Sequence, residues 1–192
     1  MTRFWWVRHG PTHEKTFVGW RNVPADLSDL DQISRLDAHL PRGSVLLSSD
    51  LSRAIETADA IGGGRERLAH DPALREFNFG QWDGVPFDTV AARDPELSRA
   101  FWEDPGDVAP PGGESWNEVA ARVGACVDAL SQSHAGRDIV IVAHIGVIMT
   151  QVMAASGMTA QQVLGHRIDN LSVTRLEMSG GRWSVGAINH LP

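Results

Sequence analysis

Two histidines and two arginines in this chain stand at or just beyond the ends of short apolar runs. Arg8-His9-Gly10 closes the run Thr2 to Val7, His144 directly follows IVIVA (139–143), and Arg53 comes shortly after SVLLS (44–48). The runs have the length and the aromatic or β-branched content of buried strands. Where strands run parallel, ligands bind beyond their carboxyl ends. Two imidazoles and two guanidiniums therefore gather at one edge of such a sheet. That group suits a compact anion, and phosphate best, because the planar arginine fork matches its oxygens and stays charged at every working pH. Arg53 falls in the first turn of a helix expected from Leu51 to Ile61, where unpaired N–H groups and the dipole add to the attraction. Gly10 lets the backbone come close to a ligand. A rival reading makes His9 and His13 metal ligands. Their four-residue spacing needs a helix, and Gly10-Pro11 between them opposes one.

The elements that must position these residues follow from the hydrophobic pattern. Leu30, Ile33, Leu36 and Leu40 give helical spacing over Leu27 to Leu40, and the helix from Leu51 stops at the glycines 62 to 64. Ser115 and Glu118 form an S-x-x-E capping box ahead of an apolar stripe through Trp116, Val119, Ala120, Val123, Val127 and Leu130. The tail, around Gly180-Gly181, reads as a hairpin or a pair of edge strands. Strands alternating with helices predict an α/β fold, a three-layer α/β/α sandwich with a mainly parallel sheet. Residues 72 to 113 hold six of the ten prolines, so they read as a small cap or lid insertion on one domain spanning 1–192. Ile139 to Met158 carries no charge and is long enough to span a bilayer. It divides at His144-Ile145-Gly146, and a buried strand leading into a buried helix explains it better.

Composition narrows the classes. The 192 residues suit one domain at about 150 residues per domain. Net charge is -7, from 24 acidic and 17 basic residues, which argues against a general nucleic-acid binder. A single cysteine excludes a disulfide framework, and Cys126 in mid-helix reads as inert packing. The N-terminal apolar stretch is too short for a signal-peptide core, so the expectation is a cytoplasmic protein with no membrane partner.

The motifs also resemble a known family. RHGPT (8–12), GWRNVPADLS (19–28), SSDLSRAIETA (48–58), LREFNFGQWDG (74–84), PGGES (111–115) and VAHIGVI (142–148) are similar, in order, to the signature segments of the histidine phosphatase superfamily, which includes phosphoglycerate mutases. The resemblance implies that His9 is a nucleophile forming a phosphohistidine. It implies that Arg8, Arg53 and His144 hold the phosphate oxygens and that Glu76 is the acid and base. Gly10, Thr12, Lys15, Gly19 and Ile145 fall on substrate-binding positions. No metal or other cofactor is implied. The expected activity is hydrolysis of a small phosphorylated metabolite, with mutase-type phosphotransfer or non-catalytic binding of a phospho-ligand as alternatives. An acidic, proline-rich stretch at 85 to 113, whose only basic residues are Arg93 and Arg99, favours the hydrolase.

Three positions depart from the family's pattern. Lys15 stands where the family often has asparagine, Ile145 where it commonly has glycine, and Leu27-Ser28-Asp29-Leu30-Asp31 replaces a Leu-Thr-x-x-Gly ending. Trp20, Phe77, Phe79 and Trp82 are candidates to line a pocket, Glu114 and Ser115 to reach the site, and His13 is expected to be solvated. The chain leaves its oligomeric state open, a homodimer among the options.

Overall fold

The computed structural model describes all 192 residues. Its centre is a six-stranded sheet of β1 (Thr2–Arg8), β2 (Val45–Ser48), β3 (Glu66–Arg67), β4 (Asp138–Ala143), β5 (Val173–Ser179) and β6 (Arg182–His190), in the order β3-β2-β4-β1-β5-β6. Pairs β1–β4, β2–β4 and β2–β3 are parallel, while β5 runs antiparallel to both β1 and β6. The tail is thus a hairpin, with β5 inside the sheet and only β6 at the edge. Ile139 to Ala143 are fully buried because helices cover both faces there.

Alternation along the strands assigns the two faces. Phe4, Trp6, Val45, Leu47, Ile139 and Ile141 pack with α5 (Trp116–Ser133) and α6 (Ile145–Ser156). Val7, Leu46, Val140 and Val142 pack with α1 (Leu30–His39) and α2 (Ser52–Ala60). This is the expected three-layer sandwich. The first helix starts later than its apolar spacing predicts, at Leu30 and not Leu27, because the Asp29 side chain accepts from the Gln32 amide and fixes the N-cap. The capping box at Ser115 and Glu118 is formed. The uncharged stretch from Ile139 splits into β4 and α6, and no helix is long and apolar enough to cross a membrane.

Residues 72 to 113 form two short 3-10 helices (Pro72–Leu74 and Gly80–Trp82), then α3 (Phe87–Arg93) and α4 (Pro95–Glu103). Trp82, Val90 and Phe101 from this stretch share the core cluster of the sheet's α5/α6 face. A short helix after α6, α7 (Ala160–Leu164), is closed by a capping box between Thr159 and Gln162. The sequence pattern gave no sign of it, nor of the two-residue β3.

Candidate active site

The register of the two central strands places the two histidines. Arg8 pairs with Ala143, and the His9 amide donates to the Ala143 carbonyl at 3.1 Å, so His9 and His144 leave the sheet side by side. Their ring centroids lie 5.1 Å apart. Both rings are buried.

His9 is held in one tautomer. Its Nδ1 lies 2.7 Å from the Gly10 carbonyl, which can only accept, so Nδ1 carries the hydrogen and Nε2 keeps its lone pair. Arg53 Nε donates to that Nε2 at 3.3 Å. Burial first, and then the Arg53 charge, hold the imidazole's pKa down to about 3, so His9 is neutral across the ordinary pH range. A neutral, oriented imidazole nitrogen is what nucleophilic attack requires.

Arg53, on the first turn of α2, is also buried. Its Nη2 donates to the Gly19 carbonyl at 2.7 Å and its Nη1 to the Arg21 carbonyl at 3.1 Å. Burial lowers its pKa to about 10, which leaves it cationic at neutral pH. Arg8 donates through Nη1 to the Ile168 carbonyl at 2.6 Å, and its buried Nε has no partner.

Glu76 completes the cluster. Its Oε1 accepts from the Phe77 amide at 3.0 Å and its Oε2 from the Gly146 amide at 3.2 Å. Burial raises its pKa, and the two amide bonds and the Arg53 and Arg8 charges only partly oppose that. A raised carboxyl pKa beside a depressed imidazole pKa is the arrangement that separates an acid from a nucleophile. His144 is pushed well below its ordinary value, chiefly by burial and then by Arg53.

The remaining candidates fall in different places. The Gly19 carbonyl faces Arg53, and its amide donates to Asp83, which also accepts from the Trp20 and Arg21 amides and so clamps this loop. A Cβ at Gly19 would sit 2.6 Å from the Phe77 carbonyl. Gly10 does make a close approach, but to Leu27 and the Asp26 carbonyl, and its amide is taken by Thr57 Oγ1. Thr12 is half-buried, whereas Lys15 is exposed and makes no hydrogen bond or ion pair. His13 is exposed and pairs with Asp26 at 2.7 Å. No group of three or more His, Cys, Asp or Glu side chains converges to hold a metal ion.

Ile145 opens α6, and the glycine that the geometry demands is its neighbour: a Cβ at Gly146 would lie 2.5 Å from both Glu76 Oε1 and Phe77 Cδ2. Of the four aromatic candidates, Phe77 and Phe79 line a cavity beside Glu76. Trp82 is fully buried core, and Trp20 holds the Glu76 carbonyl through its indole N–H at 2.8 Å. Glu114 bonds Arg122 and the Asn78 amide instead of reaching the site. Arg122 in turn donates to the carbonyls of Ala73 and Arg75, buttressing the segment that carries Glu76. Ser49, Thr57, Asp83, Arg122 and Asn170, whose Nδ2 donates to the His9 carbonyl at 2.8 Å, are supports that the motifs alone did not single out. Ser49, Thr57 and Asp83 lie within quoted motifs, but Arg122 sits among polar positions of α5 with nothing in its spacing to mark it.

The sequence profile of the histidine phosphatase superfamily (branch 1) matches residues 4–191. The chain belongs to that superfamily. Among its relatives, the chain is 31% identical over 198 residues to phosphoglycerate mutase-like protein 4 of Arabidopsis thaliana, covering 96% of this chain and 85% of that one. Its fold is similar to that of Bacillus stearothermophilus YhfR, with a TM-score of 0.91, 28% identity and coverage of 100% and 98%. It is similar also to the mycobacterial glucosyl-3-phosphoglycerate phosphatase, with a TM-score of 0.86, 29% identity and coverage of 99% of each chain. Some mycobacterial relatives are much longer, and the chain matches only 41% of their length. Phosphatases and mutases surround it, which supports phosphoryl transfer as its chemistry.

Proposed function

We propose that this chain is a phosphomonoester hydrolase working through a phosphohistidine on His9 without a metal. The observation that carries the reading is the pairing of a neutral His9, with Nε2 unprotonated, and a buried Glu76 carboxyl whose pKa is raised. His9 Nε2 attacks phosphorus in line. The P–Nε2 bond forms as the ester P–O bond breaks, and Glu76 gives its proton to the departing alkoxide. The Nδ1–H bond to the Gly10 carbonyl supports the positive charge that the phosphorylated ring acquires. Arg8, Arg53 and His144 stabilise the equatorial oxygens. Glu76, now a carboxylate, takes a proton from water as its oxygen attacks phosphorus. The P–N bond breaks and inorganic phosphate leaves. The partner in this reading is a small phosphate ester and the location cytoplasmic.

Hydrolysis is favoured over mutase-type transfer by the surroundings of Glu76. A mutase must grip a second anionic group through both half-reactions. Neither basic residue of the 85–113 stretch lines the cavity; Arg93 is exposed and pairs with Asp94, and Arg99 is exposed. Presence of both an oriented nucleophile and a carboxyl with raised pKa disfavours a mere phospho-ligand binder.

The test is hydrolysis of p-nitrophenyl phosphate in EDTA by the wild type and His9→Ala, with acid-labile, base-stable phosphoenzyme trapped on rapid quenching. Turnover and phosphoenzyme in the wild type alone are expected. Turnover retained by His9→Ala would discard the phosphohistidine.

A further inference from the structure

Glu76 and Gly146 form one wall of a cavity of about 360 Å³ that runs beneath the segment around α4. Glu76 is the only charged side chain in its lining, and most of the rest is apolar, including Phe77, Phe79, Phe101, Trp102, Trp116 and Met149. Even the Trp116 indole N–H is not offered to a ligand, because it points to Met153 Sδ at 3.3 Å. Trp102, 42% exposed, stands at the rim as one of the few large apolar side chains left open to water.

We infer that this cavity receives the alcohol portion of the substrate, and that this portion is uncharged and predominantly apolar, aromatic or branched aliphatic in build. The inference rests on the hydrolase reading, in which Glu76 protonates the leaving oxygen, so whatever that oxygen is bonded to lies on the Glu76 side of the phosphate. A polyol or sugar there would give up hydrogen bonds to water and find no replacements, which is costly. A carboxylate or second phosphate would lie against an acidic side chain with no cation in the wall to pair with it. An apolar group would instead be rewarded for leaving water, and would cover Trp102 as it entered. Size agrees: a cavity of about 150 Å³ accommodates benzene, so this one has room for a fused bicyclic ring or a branched chain.

The experiment compares kcat/KM for ethyl phosphate, glycerol 1-phosphate and 2-phenylethyl phosphate. All three release a primary alcohol, so their demand for the acid is similar and the alcohol's polarity is what varies. The 2-phenylethyl ester is expected to exceed both others by about tenfold or more, in the range that apolar pockets achieve. Trp102→Ala, altering a partly exposed residue, is expected to shrink that preference by about threefold. Calorimetric binding of the same esters to His9→Ala should rank them alike. Equal or better use of glycerol 1-phosphate in turnover and binding, with p-nitrophenyl phosphate still hydrolysed, would overturn the apolar leaving group and spare the hydrolase. Failure to hydrolyse any ester would overturn the hydrolase, and the binding order would then decide the cavity's preference by itself.

Discussion

Ser49 Oγ lies 2.7 Å from His144 Nε2 while the same oxygen receives the Leu51 amide at 3.4 Å. A Ser49 hydroxyl that gives its hydrogen to Nε2 leaves the hydrogen of His144 on Nδ1. That nitrogen is buried and has no partner in the protein. In that arrangement Ser49 keeps His144 as a neutral donor, the form that can bond a phosphate oxygen. Ser49→Ala is expected to lower kcat by about ten- to a hundredfold, with Ser49→Thr restoring most of it. Nitrogen chemical shifts of His144 should show a mixed tautomer in the alanine variant at unchanged melting temperature. An unmixed tautomer there would refute the positioning role.

The pH dependence follows from the two shifted groups. His9, held at about pH 3, stays unprotonated in mild acid, so p-nitrophenyl phosphate, whose leaving group needs little help, should be hydrolysed well below pH 6. An alkyl phosphate needs protonated Glu76, and its rate should fall as pH rises through the raised Glu76 pKa. Glu76→Gln is expected to slow alkyl esters by about 10²–10⁴ and p-nitrophenyl phosphate far less. Equal slowing of both would remove Glu76 from the acid role.

The same depressed imidazoles make acid destabilising. The unfolded chain protonates His9 and His144 near pH 6.5, whereas the folded protein resists until far lower. Their contribution to stability is complete above pH 6.5 and declines as pH falls toward 3. Urea midpoints should drop between pH 7 and pH 4.5, and more shallowly in His144→Asn.

At the start of α6 the two neighbours should behave oppositely to what the family pattern suggests. Gly146→Ala forces a methyl against Glu76 and Phe77, and is expected to cost about 1–3 kcal/mol in urea unfolding and most of the activity. Ile145→Gly restores the family's usual residue. It removes a half-buried side chain packed on the core and should cost about 1–3 kcal/mol, mostly in lost packing and only partly in helix propensity, with no gain from glycine's backbone freedom.

Cys126 donates to Asp71 at 3.2 Å, and burial first, then Asp71, push its thiol up to about 12. Thiol reagents at pH 8 should leave it unmodified in the native protein and label it fully in urea.

The strand ends and the two histidines were legible in the sequence because strand length, apolar content and the parallel-sheet rule all act locally. Glu76 was legible only through resemblance: the segment around it has no period, and burial and two amides, one of them from α6, give it its character. The same limit explains Ile145. The family resemblance drew attention to the position after His144, but the steric demand comes from Glu76 and Phe77, far away in the chain, and falls one residue later. Trp82 and Glu114 were placed near the site by their neighbours in sequence, yet tertiary packing and the Arg122 pair took them elsewhere.

His9 directly follows β1, and the hydrogen-bonding neighbours of β1 are β4 and β5, which lie far downstream of it in the chain. A fragment that stops short of β4 therefore carries His9 but not the strands that flank and orient it, and so lacks the assembled site. The site is complete only when these distant strands close around β1, so recovery of activity on refolding should report completion of the sheet and not an earlier collapse.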